Sequence, residues 1–411
     1  MVGGGLAGLA CAADLAAAGR RVRVLEASDD VGGRMRSDHR DGFVVDRGFQ
    51  VFNTSYPQVK RRFDIRALKL RPFSPAVLVH GGHAGRDNHG RSRIVDPSRS
   101  RRDAVDGLRA GDVGLRDAAA LAALSGWCAL TPPRVLKAAS ARRPDRDTGA
   151  TLSSWGFTDE FVARFFRPFL AGVFLEDELA TSSAVFRLVW RSMVRGTLCL
   201  PAEGIGAVPR QLAASLPPGT VNVHTPVAEL TDVGVLLADG GELAAAAVVV
   251  ATGPAAVRHL LPAEKLPAYR TVTTYQHATE RSPLAEPTLM TDTRMRFLNT
   301  CVLTEVAPTY APAGTHLVQT SILGTDVPGR EALIRTALAE AYDVDTSGWD
   351  LVATTTVDDA LPAMTAPHRL SRTSRVAPGR YVCGDHRTTG SVQGALASGT
   401  RAARELLLDQ A

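Results

Sequence analysis

Apolar and polar positions divide the chain into segments of contrasting period. A glycine loop at residues 3–8 runs straight into an Ala/Leu-rich stretch of helical period, which Gly19 is placed to end in a left-handed cap. Residues 21–27 (RVRVLEA) then alternate as a strand, so the opening reads as one βαβ unit. Residues 41–52 (DGFVVDRGFQVF) predict a hairpin-like strand pair, and AVLVH and SRIVD predict two short strands flanking the loop GGHAGRDNHGR. From 115 to 194 the period turns helical, as in TDEFVARFFRPFLAGVF and TSSAVFRLVWRSMV. Residues 204–216 predict a helix, and 221–230 and 234–237 predict strands. The run 243–251 (LAAAAVVVA) is continuously apolar, as one strand buried on both faces should be. A mixed stretch follows from 268 to 377, with β-like TVTTYQHAT, THLVQTSIL and LVATTTV and a helix near 330–342. The chain closes over 380–408 with a strand, a glycine-rich turn and a helix.

This order predicts an α/β fold in which a nucleotide-binding domain is left and re-entered twice. A discontinuous Rossmann-type domain, a parallel sheet with helices, is expected from residues 1–60, 200–267 and 376–411. Residues 61–199 and 268–375 are expected to form an inserted mixed α+β substrate domain, with a helical and a β-sheet part. A length of 411 residues calls for two cores rather than one. Only Met1 and Val2 precede the glycine loop where a central strand is needed, which predicts a natural start upstream.

No window holds the roughly 18 uninterrupted apolar residues of a spanning helix. The net charge is +5, but the basic residues are scattered, and the dense stretch at 85–102 reads as a solvated loop. Nucleic acid is therefore not an expected partner. Five cysteines without a CxxC pair fit a reducing compartment, so the expected location is cytoplasmic, with peripheral membrane contact left open. His80, His83 and His89 lack convergent spacing and carboxylate support, so no metal site is expected.

Gly3, Gly5 and Gly8 form a GxGxxG loop, which permits a tight turn, close approach of backbone to pyrophosphate and close helix packing. Glu26 follows Gly8 by 18 residues at the end of the second strand, where a carboxylate accepts hydrogen bonds from ribose hydroxyls. Gly32, Gly33 and Arg34 make a second phosphate-type turn, which favours FAD over NAD; Arg36 is either a surface ion pair or a further cofactor contact. Gly384 and Asp385 follow a strand, and Val392, Gln393, Gly394 and Ala395 open the last helix, whose N-terminal dipole suits the electron-rich edge of a reduced flavin. Gly399 is placed to keep that helix close-packed.

The combination of GGGLAGL, LEASDDVGGR, VVVATGP and YVCGDHRTTGSVQGALASG resembles the superfamily of FAD-dependent amine oxidases and phytoene desaturases. The resemblance runs through the whole chain, and the motifs that carry it are cofactor motifs. It implies non-covalent FAD, with Glu26 on the adenosine ribose, Arg34 on the pyrophosphate and Val227 near the adenine. By the same carry-over Asp385 meets the ribityl or phosphate region, and 392–395 cover the pyrimidine edge. Many amine oxidases carry a lysine on a substrate-domain strand, whereas TVTTYQHAT has none and the last lysine is Lys265.

The expected reaction is hydride transfer from a C–H of a hydrophobic small molecule to flavin N5, a desaturase-like C–C oxidation, with oxygen or a quinone as electron acceptor. The alternatives are an amine or amino-acid oxidase producing hydrogen peroxide, and a flavin-dependent isomerase. His386 and Gln50 are the candidate catalytic residues, with Arg47 and Arg387 as further polar groups near the ring. Of Tyr275, Gln276 and His277, alternate faces of a strand allow only some to reach a substrate. Trp190, Met193, Leu198 and Leu200 read either as helical core or as a membrane-touching patch, and Cys383 as a small buried residue.

Overall fold

The computed structural model describes residues 1–81, 90–95, 111–136 and 144–410. The elements used below are α1 (Leu6–Ala17), β1 (Val24–Leu25), β2 (Ser37–Arg40), β3 (Phe43–Asp46), β4 (Ala76–His80) and β5 (Arg91–Val95). They continue with α2 (Leu115–Leu130), α3 (Arg167–Phe174), α4 (Ser183–Arg195), β6 (Val221–Asn222), β7 (Val227–Thr231) and β8 (Val248–Val250). Then come β9 (Tyr269–Thr279), β10 (Leu289–Asp292), β11 (Asn299–Val302), β12 (His316–Leu323), α5 (Arg330–Tyr342), β13 (Asp350–Pro362), β14 (Arg375–Ala377), β15 (Arg380–Val382) and α6 (Val392–Asp409).

Met1 to Gly3 lie between β1 and β8. Val2 donates to the Val249 carbonyl at 2.9 Å, and Leu25 donates to the Met1 carbonyl at 2.8 Å. Parallel pairing of β1 with β6 and of β8 with β15 extends this ladder to both sides, and β14 closes one edge antiparallel. Helix α1 is buried along Leu6, Leu9, Ala10, Cys11, Ala12 and Leu15, and it ends at Gly19, whose φ of +75° is the left-handed cap. Helix α6 packs on α1 so closely that a Cβ on Gly399 would stand 2.1 Å from the Ala7 carbonyl oxygen.

The larger sheet has seven strands in the order β13-β9-β12-β11-β10-β4-β5. One face is covered by α5, through Tyr275, Val318 and Ile322 against Ile334, Leu338 and Trp349. The other face meets the first part of the chain, where Leu317 packs with Val44, Phe49 and Val51, and also α3, where Val272 packs with Ala171. Helices α2, α3 and α4 enclose an aromatic core that includes Phe161, Phe165, Phe166, Phe186 and Trp190.

Three expectations of local structure are corrected. The hairpin near 41–52 is formed by β2 and β3, turning at Asp41 and Gly42 (φ +49° and +83°); its first strand, SDHR, is too polar to show a β pattern. The apolar run 243–251 is two strands: Glu242–Ala244 pairs in a small antiparallel sheet, and β8 alone is central. Residues 221–230 likewise split into β6 and β7, in different sheets, across His224 at φ +50°. Unbroken apolarity does not reveal where a chain changes sheets.

Candidate cofactor and substrate site

The two glycine turns meet. Gly5 and Gly32 form a parallel bridge, Gly32 donates to the Gly4 carbonyl at 2.9 Å, and Gly4 donates to Glu26 Oε2 at 2.7 Å. The other carboxylate oxygen of Glu26 accepts from the amide and hydroxyl of Ser28, at 3.0 and 2.6 Å. Space at this junction is graded. A Cβ on Gly8 would stand 2.2 Å from the Gly3 carbonyl oxygen and one on Gly3 2.7 Å from that of Ala251, whereas one on Gly5 would meet nothing within 4 Å. Across the opening a Cβ on Gly33 would approach only the Cα of Gly5, at 3.7 Å. The first turn of α1 has no side-chain cap and no acidic residue. An open cleft over an uncapped helix N-terminus suits a pyrophosphate, because the helix dipole and amide donors favour an anion there.

Arg34, its side chain 37% exposed, reaches over to the end of the chain. Its guanidinium pairs with the buried carboxylate of Asp385 at 2.7 Å and donates to the Ala360 carbonyl at 2.6 Å. Gln50 Nε2 donates to the Arg34 carbonyl at 2.7 Å. Ser391 caps α6 by accepting from Gly394 at 3.0 Å, Gln393 Oε1 accepts from the Gln58 amide at 3.0 Å, and Val392 and Ala395 pack in the cluster that holds Leu6 and Leu9. Gly384 donates to Ser398 Oγ at 3.1 Å. Val227, at the start of β7, packs with Val2, Leu25 and Val250.

The candidate catalytic side chains differ in freedom. His386 is buried, its Nε2 has no hydrogen-bond partner, and burial lowers its pKa to about 4 against the opposing pull of Asp385, so the ring is neutral near pH 7. Arg387 is committed instead to an ion pair with Glu264 and a bond to the Thr373 carbonyl. Arg47 is held by both oxygens of Asp38, at 2.9 and 2.8 Å, and Arg36 pairs with Asp29 at 2.7 Å. Tyr275 and His277 face α5, where the phenol bonds Asp326 and the imidazole Nε2 bonds Glu331 at 2.9 Å. Gln276 lies on the opposite face. Cys383 is fully buried and burial raises its thiol pKa well above the usual value, which makes it inert.

Trp190 and Met193 turn inward. With Leu198, Phe73, Phe165 and Phe169 they line an apolar cavity of about 140 Å³, and Trp190 Nε1 donates to Ser125 at 3.0 Å; Leu200 is fully buried. His83 and His89 lie outside the described residues, and His80 is buried on β4. Among the described residues no helix is long and apolar enough to cross a membrane.

A model of the flavin-containing amine oxidoreductases matches residues 6–407. The chain belongs to this family. This oxidoreductase is 37% identical over 82 residues to the coproporphyrinogen III oxidase of Propionibacterium freudenreichii subsp. freudenreichii, which covers 20% of the chain and 15% of that protein. It is 50% identical over 48 residues to the 4,4'-diapophytoene desaturase of Staphylococcus haemolyticus, 12% of the chain and 10% of the relative. The chain therefore matches these curated relatives over no more than 15% of their length. The crystal structure of an oxidoreductase from Methanosarcina mazei shares the fold over 99% of both chains, with a TM-score of 0.69 at 17% identity.

Two residues of the oxidoreductase's site have no local sequence signal. Tyr269 opens β9, and its phenol pKa is raised by burial and by the Asp385 carboxylate, with Arg34 opposing, which places it beside that pair. Asp46 is buried at the end of β3, where it accepts from Ser37 Oγ at 2.5 Å, the Ile205 amide at 2.9 Å and Tyr310 at 3.0 Å. Ser37 Oγ in turn accepts from Gly206 at 2.9 Å, so the pair holds the turn before the helix at 207–214. Burial raises the Asp46 pKa to about 6, although its three donors oppose the shift.

A raised folded-state pKa means that the folded chain holds this proton more tightly than the unfolded one. Stability from Asp46 is therefore greatest below about pH 4 and falls as pH rises to about 6, by about 3 kcal/mol for a shift of this size. Asp46→Asn keeps an acceptor for Ser37 and Ile205 and turns an amide toward the Tyr310 oxygen. The variant is expected to flatten this fall, read as the difference between variant and parent urea midpoints at pH 4 and pH 8. A difference independent of pH would refute the assignment.

Proposed function

We propose that the oxidoreductase holds FAD non-covalently across the Gly5–Gly33 cleft and oxidises a largely apolar small molecule by a desaturase-like C–C oxidation. Backbone amides of Gly5, Gly8 and Gly33 with Arg34 would hold the pyrophosphate, Gly3 and Gly32, whose amides close the two turns, would let the backbone approach it, and Glu26 would hold the adenosine ribose, with Val227 near the adenine. Gly384 and Asp385 would meet the ribityl region, and Val392, Gln393, Gly394 and Ala395 the pyrimidine edge. When bound, FAD supplies a hydride acceptor for a substrate C–H. His386, neutral and with Nε2 unpartnered, can donate or accept one hydrogen bond there without adding charge. Gln50 fixes the Arg34 backbone and so the position of the guanidinium.

The observation that carries the substrate reading is the face of β9 that packs on the 49–51 segment. From Val272 onward it presents Val272, Thr274 and Gln276, all uncharged and without a carboxylate, with Arg270 two residues earlier on the same alternation, and the Phe49 amide donates to Thr274 Oγ1 at 3.4 Å. Recognition of an ammonium in a buried site calls for a carboxylate or an aromatic cage. The apolar cavity adds to this reading: three of its lining residues, Phe73, Leu198 and Leu289, pack in the cluster that contains Phe49 and Val51.

The test is the visible absorption of the purified chain before and after denaturation, followed by anaerobic titration with polyenes and with amines. Flavin bands that leave with the denatured supernatant, and that bleach with polyenes alone, are the expected result. Bleaching by amines alone would replace the reading with an amine oxidase, and a folded, colourless chain that takes up no FAD would refute the assigned cofactor cleft.

A further inference from the structure

Four polar side chains cross the middle of the seven-stranded sheet on the face turned toward the 49–51 segment. Thr274 Oγ1 and Ser321 Oγ are 3.1 Å apart, Ser321 Oγ donates to Gln319 Oε1 at 3.2 Å, and Gln319 Nε2 donates to Asn299 Oδ1 at 2.8 Å. Their neighbours on this face are Val272, Cys301 and Leu317, which are apolar, and Thr355, directly across the ladder from Thr274. Gln276 stands directly across the ladder from Gln319 and shares its face. It is only 3% exposed, yet its Oε1 has no partner.

An unmet buried acceptor costs about 1–3 kcal/mol, and a sheet face that served packing alone would carry an apolar residue here. The other oxygens in this row are occupied: Gln319 Oε1 by Ser321, Asn299 Oδ1 by Gln319, and Thr274 Oγ1 by the Phe49 amide. Gln276 Oε1 is left facing the same side with bonding capacity in reserve. Thr274, Gln276, Asn299, Gln319 and Ser321 are all neutral, so a buried cation would find no counter-charge in the row, whereas a neutral donor forms an ordinary hydrogen bond.

We infer that this face anchors the substrate through a neutral O–H or N–H group on an otherwise apolar molecule, with Gln276 Oε1 as the acceptor. The inference rests on the apolar-substrate reading above and narrows it: the substrate carries at least one uncharged hydrogen-bond donor. Gln276 is then a specificity residue, and the Thr274–Asn299 row holds the surface on which that donor lies.

The experiment titrates the FAD-loaded enzyme with 2-naphthol and with 2-methoxynaphthalene, a pair that differs in the donor alone, and follows the perturbation of the flavin absorption band. The naphthol is expected to bind about tenfold more tightly, as one neutral hydrogen bond to an otherwise unmet acceptor gives. Gln276→Leu is expected to abolish that preference while leaving FAD content and affinity for the ether unchanged. A second reading needs no ligand: because Gln276→Leu removes an unmet acceptor, it is expected to raise the thermal midpoint of the free holoenzyme. A preference that survives in Gln276→Leu, or a lowered midpoint, overturns the inference. Equal binding of both compounds by the parent overturns it and leaves the apolar-substrate reading standing; binding of neither removes both.

Discussion

Gly8→Ala is expected to yield a chain that no longer retains FAD and unfolds more readily, whereas Gly5→Ala loses FAD without loss of stability. The added methyl of Gly8→Ala would stand 2.2 Å from a backbone oxygen of Gly3, which cannot move without opening the turn between the first strand and α1. Overpacking of that kind costs about 1–3 kcal/mol, which corresponds to roughly fivefold to 150-fold in any equilibrium that needs the closed turn. Gly5 has a φ of −73°, which alanine adopts freely, and its missing Cβ looks into open space. Its methyl would occupy only the cleft itself. Thermal midpoints of the FAD-free chains, set beside FAD affinities from fluorescence quenching, separate the two effects. Gly5→Ala binding FAD as the parent does would show that the pyrophosphate passes elsewhere.

Arg387→Met is expected to be the most destabilising of the single changes considered, by about 3–5 kcal/mol. The guanidinium is 6% exposed and the Glu264 carboxylate 14%, so removing the cation strands a buried anion and also leaves the Thr373 carbonyl without its donor. Burial lowers the Arg387 pKa, with Glu264 opposing, which marks the pair as interdependent. The paired change Arg387→Met with Glu264→Gln is expected to recover much of the urea midpoint, because no lone charge then remains buried. Equal losses in the single and double variants would mean that the ion pair is incidental. The same short turn, Asp385–Arg387, carries the carboxylate that Arg34 meets, so FAD retention is expected to fall along with stability.

Arg387 shows what a sequence reading cannot supply. By position it is a plausible group near a flavin, two residues from Asp385; in the fold it is a clamp on a glutamate 123 residues away. Arg47 is similar, since nothing in DRGF announces that Asp38 will hold it across the β2–β3 hairpin. Tyr269 and Asp46 were missed for the complementary reason. Each lies in an ordinary strand pattern, and each acquires its surroundings from Asp385, Tyr310 or Ile205, far along the chain.

What this sequence determined by itself is local and backbone-driven. The spacing of Gly3, Gly5 and Gly8, the doubled Gly32 and Gly33 and the stop at Gly19 are demands of chain geometry that few other residues meet, and the structure brings the two glycine turns into contact. Family membership rides on the same motifs. Tertiary structure alone decided which face of β9 meets α5 and which meets the 49–51 segment. Both faces of that strand are buried, so alternation has no polar side to report, and the choice falls to partners on β12, β13 and α5 that approach from distant parts of the chain.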